Sequence, residues 1–375
     1  MKSIRAFAVG AAWVLAAFAA AAQQPRITNA KAETHAVSGT LDATVSSIQG
    51  EAGSQAVWVG YETPMIPARS GHRQMCCGQN FVNGHLVDCG GCSLETNRGS
   101  NVTESDGPDS RAGISGGTVK LEGPDSMFVL LRIADHRIGL VRTFTEDCEL
   151  DAGGLRFVWL TGVKPAESVA LMTKIVTSGS FDDGDERRAA EGATLAVALS
   201  SDPSADKALE SFVAPERPEK MRSNTAFWLG NARGAAGLTL LKRMAKSDPS
   251  PKVREQVTFA LSQSHEPGAV DEMIRMAKED ESRQVRGQAL FWLAQKAGQK
   301  ALGAITDAIQ NDPDTDIKKK AVFALSQLPK DEGVPKLIEV ARTNKNVEVR
   351  KQAMFWLGQS NDPRALAFFQ EVLTR

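Results

Sequence analysis

Five cysteines and five histidines are the side chains here with the widest chemical range, and four of the cysteines are grouped. Cys76-Cys77 and Cys89-Gly90-Gly91-Cys92 lie close together, and Cys148 stands apart near the end of a strand-like segment. Thiols in such a group can pair as disulfides, hold a zinc ion, or cycle between dithiol and disulfide. In an exported protein disulfides are expected, because they staple a segment too poor in apolar residues to hold itself. Adjacent Cys76 and Cys77 are badly placed to bond each other. At least one bridge is therefore expected from Cys76 or Cys77 to Cys89 or Cys92, with Cys148 buried and unpaired, and the connectivity stays open. Zinc suits the ligand types, although the first pair lacks its usual spacer. A redox Cys-x-x-Cys lacks the strand–helix unit that would surround it. His72 and His85 stand near the thiols as possible bases, but no flanking motif supports a nucleophile–base pair. No residue is assigned as catalytic, cofactor-binding or metal-ligating.

The segment carrying these cysteines, residues 69–117, is rich in Gly, Ser and Asp and reads as a long irregular insertion. Around it, residues 37–163 read as a small β-rich domain, largely antiparallel. Ala56–Tyr61, Thr118–Leu121, Met127–Ile133 and Leu155–Leu160 are short and rich in β-branched or aromatic residues. Ala134-Asp135-His136-Arg137 and Asp151-Ala152-Gly153-Gly154 read as hairpin turns.

Residues 1–22 carry Lys2 and Arg5, then an apolar, Ala-rich run to Ala22. That order describes a bacterial secretory signal peptide, and residues 23–36 read as a linker after it. The expected location is periplasmic or secreted, with no membrane span after cleavage. With 44 basic and 45 acidic side chains, the net charge of −1 offers no field to recruit nucleic acid.

Residues 164–375 follow a different rule. Met221-Arg222, Val253-Arg254, Val285-Arg286, Ile317-Lys318 and Val349-Arg350 recur every 32 residues, and each leads to Phe227-Trp228-Leu229, Phe259-Ala260-Leu261, Phe291-Trp292-Leu293, Phe323-Ala324-Leu325 or Phe355-Trp356-Leu357. Upstream, Leu238, Val270, Leu302, Val334 and Leu366 begin a second helical stripe with the same period. Turn and cap residues such as Ser247-Asp248-Pro249 separate the two. Each unit is thus a helical hairpin. A fixed short period predicts a solenoid of about five hairpins, with Pro165–Thr177 and Arg187–Ser200 as a degenerate N-terminal cap. The expected fold class is α+β, a small antiparallel β domain followed by an α-solenoid.

An Asp, a short turn, Val-Arg and an Ala-rich helix, best seen in Lys252–Ser264 and Glu348–Ser360, resemble the short HEAT-like repeats of the phycobilisome-lyase type. The resemblance implies a protein-binding scaffold, and through some relatives an enzyme. Deoxyhypusine hydroxylase is similar in its repeats and holds iron through several His-Glu pairs. Here only His265-Glu266 matches, beyond its helix, so that chemistry lacks ligands. In such repeats the turn acids, here Asp248, Asp280, Asp312 and Asn344, bond a neighbour's Arg or cap the next helix.

Five Phe stand where the family is usually polar: Phe227, Phe259, Phe291, Phe323 and Phe355. Beside them run Asn231, Gln263, Gln295, Gln327 and Gln359. The row is either core between repeats or an aromatic and amide track on the concave surface that holds a partner protein or peptide. The Trp/Ala alternation at the next position reads as interdigitating core. The function expected is a non-enzymatic protein-binding scaffold. The alternative is a metal- or thiol-dependent enzyme or sensor, oxidoreductase- or lyase-like, centred on the cysteine-rich insertion.

Overall fold

The structure is a computed structural model that describes residues 25–68, 73–76, 80–82, 85–87, 92–95, 103–104, 125–146, 148–182, 184–296 and 298–374. The expected signal segment, the Thr118–Leu121 strand, Cys77 and Cys89 lie outside the described residues.

Strands β1 (Arg26–Thr28) and β2 (Lys31–Ala36) come first, followed by helix α1 (Leu41–Ala52) and strand β3 (Val57–Pro64). The insertion contributes short strands β4 (Arg73–Gln74), β5 (Asn80–Val82), β6 (His85–Val87), β7 (Cys92–Ser93) and β8 (Thr103–Glu104). Then come β9 (Ser126–Ala134), β10 (Arg137–Phe144), β11 (Glu149–Asp151) and β12 (Arg156–Thr161). The main sheet has the order β10-β9-β3-β12-β2. Its β10-β9-β3 half is antiparallel, as expected, but β12 runs parallel to both β2 and β3. The sheet is therefore mixed. Parallel strands need a crossover, and α1 supplies the one between β2 and β3.

Two expectations are corrected here. Residues 26–28 and 31–36 are strands, the second an edge of the main sheet, where a linker was expected over 23–36. Helix α1 lies in a stretch read as β. Leu41, Val45 and Ile48 give it one buried face, and the Thr40 hydroxyl accepts the Ala43 N–H at 3.2 Å to cap it.

Alternation along the strands divides the sheet's two faces. Val57, Val59, Tyr61, Val129, Leu131, Val158 and Leu160 join the core beneath α1 and the following helices. Trp58, Phe128, Leu130, Phe157 and Trp159 form a second cluster with Leu94, Phe144, Cys148 and Leu150, beside the small parallel sheet β1-β11-β7. The β9–β10 turn has the two positive φ angles of a tight hairpin, 50° at Asp135 and 56° at His136. Gly153 and Gly154 also turn with positive φ, but they join strands of different sheets and close no hairpin.

Helices α2 (Pro165–Ser178) and α3 (Gly184–Leu199) are the expected N-terminal hairpin. α3 lies directly on β10, and a Cβ at Gly192 would stand 2.0 Å from the Val141 carbonyl oxygen. Only glycine permits that approach. Five hairpins follow: α4 (Ser204–Phe212) with α5 (Glu219–Ala232), α6 (Gly234–Ser247) with α7 (Pro251–Gln263), α8 (Gly268–Glu279) with α9 (Arg283–Lys296), α10 (Gln299–Asn311) with α11 (Thr315–Ser326), and α12 (Lys330–Thr343) with α13 (Val347–Gln359). Helix α14 (Pro363–Leu373) closes the described chain. Val253, Val285, Ile317 and Val349 are all buried, as equivalent positions of one period should be. A single apolar cluster runs from Leu41 through to Phe368, so sheet and repeats share one core.

Helices α5, α7, α9, α11 and α13 form an inner layer whose members pack extensively on one another. Those of the outer layer, α6, α8, α10, α12 and α14, touch their successors only briefly, and α10 and α12 barely meet. A stack with one layer drawn closer than the other curves toward the closer layer, which places α5 to α13 on the concave side.

Buried ion pairs lock successive units. Arg222, Arg254 and Arg286 each grip the Asp 26 residues ahead through Nε (2.8 Å) and Nη2 (3.0–3.2 Å), at Asp248, Asp280 and Asp312. Each Asp also accepts the backbone N–H two residues on, at Ser250, Ser282 and Asp314, so it holds its own turn as well. Of the two roles expected of the turn acids, these side chains take the bond to a neighbour's Arg, while the caps of α7 and α11 are Ser250 and Asp314. The fourth junction breaks the rule. Lys318 reaches the Gln310 carbonyl at 2.9 Å, and Asn344 keeps only the turn bond, to the Asn346 N–H at 2.9 Å. A cavity of about 400 Å³ lies there, with Ile309, Lys318, Lys336, Glu339 and Asn344 among its walls.

Candidate protein-binding surface

The inner-layer helices carry a continuous run of aromatic rings. Phe227 meets Trp228 edge-on at 4.7 Å between centroids and stacks on Phe259 at 5.9 Å. Phe259 meets Trp292 of the next unit at 4.8 Å, and Trp292 meets its neighbour Phe291 at 4.9 Å. Phe291 stacks on Phe323 at 6.5 Å, Phe323 meets Trp356 at 5.0 Å, and Trp356 meets Phe355 at 5.0 Å. These eight rings, from Trp228 to Phe355, form an unbroken ladder across five units, at spacings aromatic pairs favour.

Burial separates the two ring types. Phe227, Phe259, Phe291 and Phe323 are half-buried, and Phe355 is 55% exposed. The three Trp pack against the buried core, whereas the five Phe are not part of it or of its immediate lining. The core alternative for the Phe row is thus not what the structure has. Trp/Ala alternation does more than fill the core. In the third and fifth units the indole of Trp292 or Trp356 bridges its own Phe to the Phe of the preceding unit; in units with Ala, the Phe stacks directly on its predecessor.

The amide row accompanies the ladder one helical turn further along. Asn231 and Gln263 are half-buried, while Gln295, Gln327 and Gln359 are exposed. A second amide row escaped the sequence reading. Asn224, Gln256, Gln288 and Gln352, with Lys320 in the fourth unit, stand three residues before each Phe and are accessible to varying degrees. Its period is the same 32 residues, so the signal was there. Four of the five inner helices therefore present amide, aromatic, amide along one line, and α11 has Lys320 in the first place, so polar groups flank the apolar strip on both sides. At its N-terminal end Phe181, Arg187, Asn224, Phe227 and Gln256 help line a recess of about 400 Å³.

The cysteine expectations fare differently. Cys76 is bonded to Cys148, not to Cys89 or Cys92. Cys148 is buried in the second apolar cluster and Cys76 packs against it, which brings the foot of the insertion onto the sheet, and sequence spacing carries no sign of that contact. Cys92 is buried in the same cluster. Glu95 fixes the insertion from the other side. It accepts the Trp58 indole N–H at 2.8 Å and hydrogen bonds from Arg132 Nε at 3.0 Å and Nη2 at 2.9 Å. Burial pushes the Glu95 carboxyl up, but those bonds and the nearby Arg132 and Arg142 charges outweigh it and hold the group below its ordinary range. Among the described residues no three His, Cys, Asp or Glu side chains are grouped to hold a metal ion, and no helix is long and apolar enough to cross a membrane. His265 is exposed, after the end of α7.

Among known protein families, residues 206–294 and 302–375 match the HEAT repeats. No curated protein matches the chain. Similar solved structures include Kap95p, the yeast importin-β, whose binding changes the switch loops of RanGDP; it is 19% identical over 56% of this chain and 32% of its own, with a TM-score of 0.39. Human deoxyhypusine hydroxylase is 19% identical over 55% of this chain and 77% of its own, with a TM-score of 0.24. The complex of CpcE and CpcF of phycocyanin lyase from Nostoc is 18% identical over 55% of this chain and 80% of its own, with a TM-score of 0.30. This chain spans about a third of the length of Kap95p.

Proposed function

Residues 206–294 and 302–375 are HEAT repeats, and from that premise we propose that the protein is a non-enzymatic scaffold that holds a partner polypeptide on its concave face. The aromatic ladder carries this reading. A solvent-accessible apolar strip that is not needed to close the core usually marks an interaction site on a soluble protein. Aromatic rings anchor interfaces at small entropic cost, and the flanking amides offer donors and acceptors to an extended main chain. Phe227, Phe259, Phe291, Phe323 and Phe355, with Gln263, Gln295, Gln327 and Gln359, form the proposed contact surface.

We place the scaffold in the periplasm or outside the cell. The basic and apolar start of the chain supports export, and the Cys76–Cys148 bridge suits an oxidising compartment.

Photocrosslinking tests the surface directly. A photoreactive residue in place of Gln295 or Gln327 should trap one recurrent polypeptide in the native host. The same probe at Glu279, exposed on outer helix α8, should not. Loss of the adduct in a Phe291→Ala, Phe323→Ala background, with the fold retained, ties it to the ladder. Equal trapping from both faces would sink the reading.

A further inference from the structure

Lys320 interrupts the amide row that flanks the aromatic ladder. Asn224, Gln256, Gln288 and Gln352 hold the same place in the other units, each three residues before its Phe. Residues three apart on a helix are neighbours, so Lys320 stands beside Phe323. Its charge is also uncommitted. Lys220 pairs with Asp182 at 3.0 Å, Lys319 with Asp316 at 2.8 Å and Lys351 with Glu348 at 3.0 Å. Lys320 is exposed and makes neither a hydrogen bond nor an ion pair among the described residues.

A glycine sets the path of this side chain. Gly287 lies inside α9, where glycine weakens a helix. Its equivalents Ser223, Glu255, Lys319 and Lys351 all carry side chains. Gly230 is needed because the Ala260 carbonyl oxygen would stand 2.1 Å from a Cβ there, but no backbone crowds Gly287 in that way. A Cβ on Gly287 would instead meet Lys320, 2.7 Å from Cδ and 3.0 Å from Nζ. The notch thus lets the four-carbon stem of Lys320 lie across α9, and Gly287 is buried beneath it. Phe291 follows Gly287 by one helical turn, as Phe323 follows Lys320. The ammonium is therefore held beside the two stacked rings.

We propose that Lys320 selects the partner: the polypeptide on the ladder presents an Asp or Glu side chain to this ammonium, next to apolar residues seated on Phe291 and Phe323. The inference rests on the ladder being a contact surface and adds the chemistry of what is bound there. Side chains on one face of an extended chain recur roughly every 6.6 Å, close to the 6.5 Å between the two ring centroids. Rungs that repeat with one period hold such a chain equally well in several registers. A single charge in the flanking row removes that degeneracy, because only one register brings the acid to Lys320.

A phage-displayed library of random dodecapeptides, panned on the full chain, tests this. The parent should enrich apolar residues together with Asp or Glu. Lys320→Gln, which restores the amide of the row and should melt as the parent does, should enrich the apolar residues without the acid. Lys320→Glu should exchange the acid for Lys or Arg. By fluorescence anisotropy, a selected peptide should bind about two- to fivefold more weakly once its acid is changed to the amide. That change should have little effect against Lys320→Gln. Gly287→Ala, which displaces the Lys320 stem, should shrink the preference without lowering the melting temperature. Apolar peptides selected without an acid, or an acid preference unchanged in Lys320→Gln, would overturn this inference and leave the ladder reading standing. Failure to select any peptide whose binding needs Phe291 and Phe323 would overturn both.

Discussion

Phe291 on α9 and Phe323 on α11 lie with ring centroids 6.5 Å apart and planes 8° from parallel, yet neither belongs to the buried core. Two units are thus bridged by rings whose outer faces remain accessible. Phe291→Ala and Phe323→Ala should each cost about 0.5–1.5 kcal/mol for every ring pairing the substitution removes. A fully buried Phe would cost about 3–5 kcal/mol. Denaturant melts of both variants, run beside the crosslinking assay, separate these cases. A loss at the upper figure would return the row to the core and end its role as a contact surface.

The Arg–Asp clasps make a contrasting prediction. Arg286→Gln leaves Asp312 buried without its cation, and breaking one partner of such a pair typically costs about 3–5 kcal/mol. At the fourth junction the opposite change is informative. Lys318→Arg and Asn344→Asp together should rebuild a clasp, with a favourable coupling of about 1–3 kcal/mol over the sum of the single changes. A double-mutant cycle measures it. Strict additivity would mean that the gap between α10 and α12 holds the two residues too far apart to pair.

The Cys76–Cys148 bridge closes a loop with a sequence separation of 72. In the chain-entropy description a loop of that length restricts the unfolded state by roughly 4 kcal/mol. Reduction, or Ser at both positions, should lower the melting temperature of the strand-rich part. Peptide mapping without reductant should recover Cys76 joined to Cys148. A Cys76 peptide joined to Cys89 or Cys92 would refute this pairing.

Glu95 gives a pH signature. Its carboxyl is held below the ordinary range in the folded protein, so it contributes stability above its unfolded pKa and loses it as the pH falls through the folded value. The deficit of Glu95→Gln relative to the parent should therefore be full at neutral pH and shrink below about pH 4. Melts of both proteins at neutral and acid pH check it. An unchanged deficit at low pH would show that Glu95 acts only as a hydrogen-bond acceptor there.

Much of this architecture can be read from the chain, because a 32-residue period repeats one packing problem five times. Val253 and its equivalents must face the same neighbours in every unit. Strands β3, β9 and β12 are legible from short runs rich in β-branched and aromatic residues. Helix α1 was missed because its Val, Thr and Ser content suits strands, although Leu41, Val45 and Ile48 carry helical spacing. Parallel pairing of β2 with β12 joins Lys31 to Arg156, and local pattern holds no trace of a partner so distant. The Cys76–Cys148 bridge escaped for the same reason. For the ladder, the sequence leaves Phe open between core and surface and reads Trp as core. The structure merges them, because a ring on one helix can reach the preceding unit while still touching its own neighbour.

The shared core has a consequence for the order in which the molecule comes apart. At one end α3 is pressed onto β10 so closely that only Gly192 fits, and at the other α14 is covered on a single side. Local opening should then be vectorial, beginning at Leu373 and travelling inward. The gap between α10 and α12 is a natural place for it to pause, with α12 to α14 detaching as one cooperative unit. Amide exchange would then grade from fast to slow along the repeats, and the earliest proteolytic nick would release that three-helix piece while the sheet stays intact.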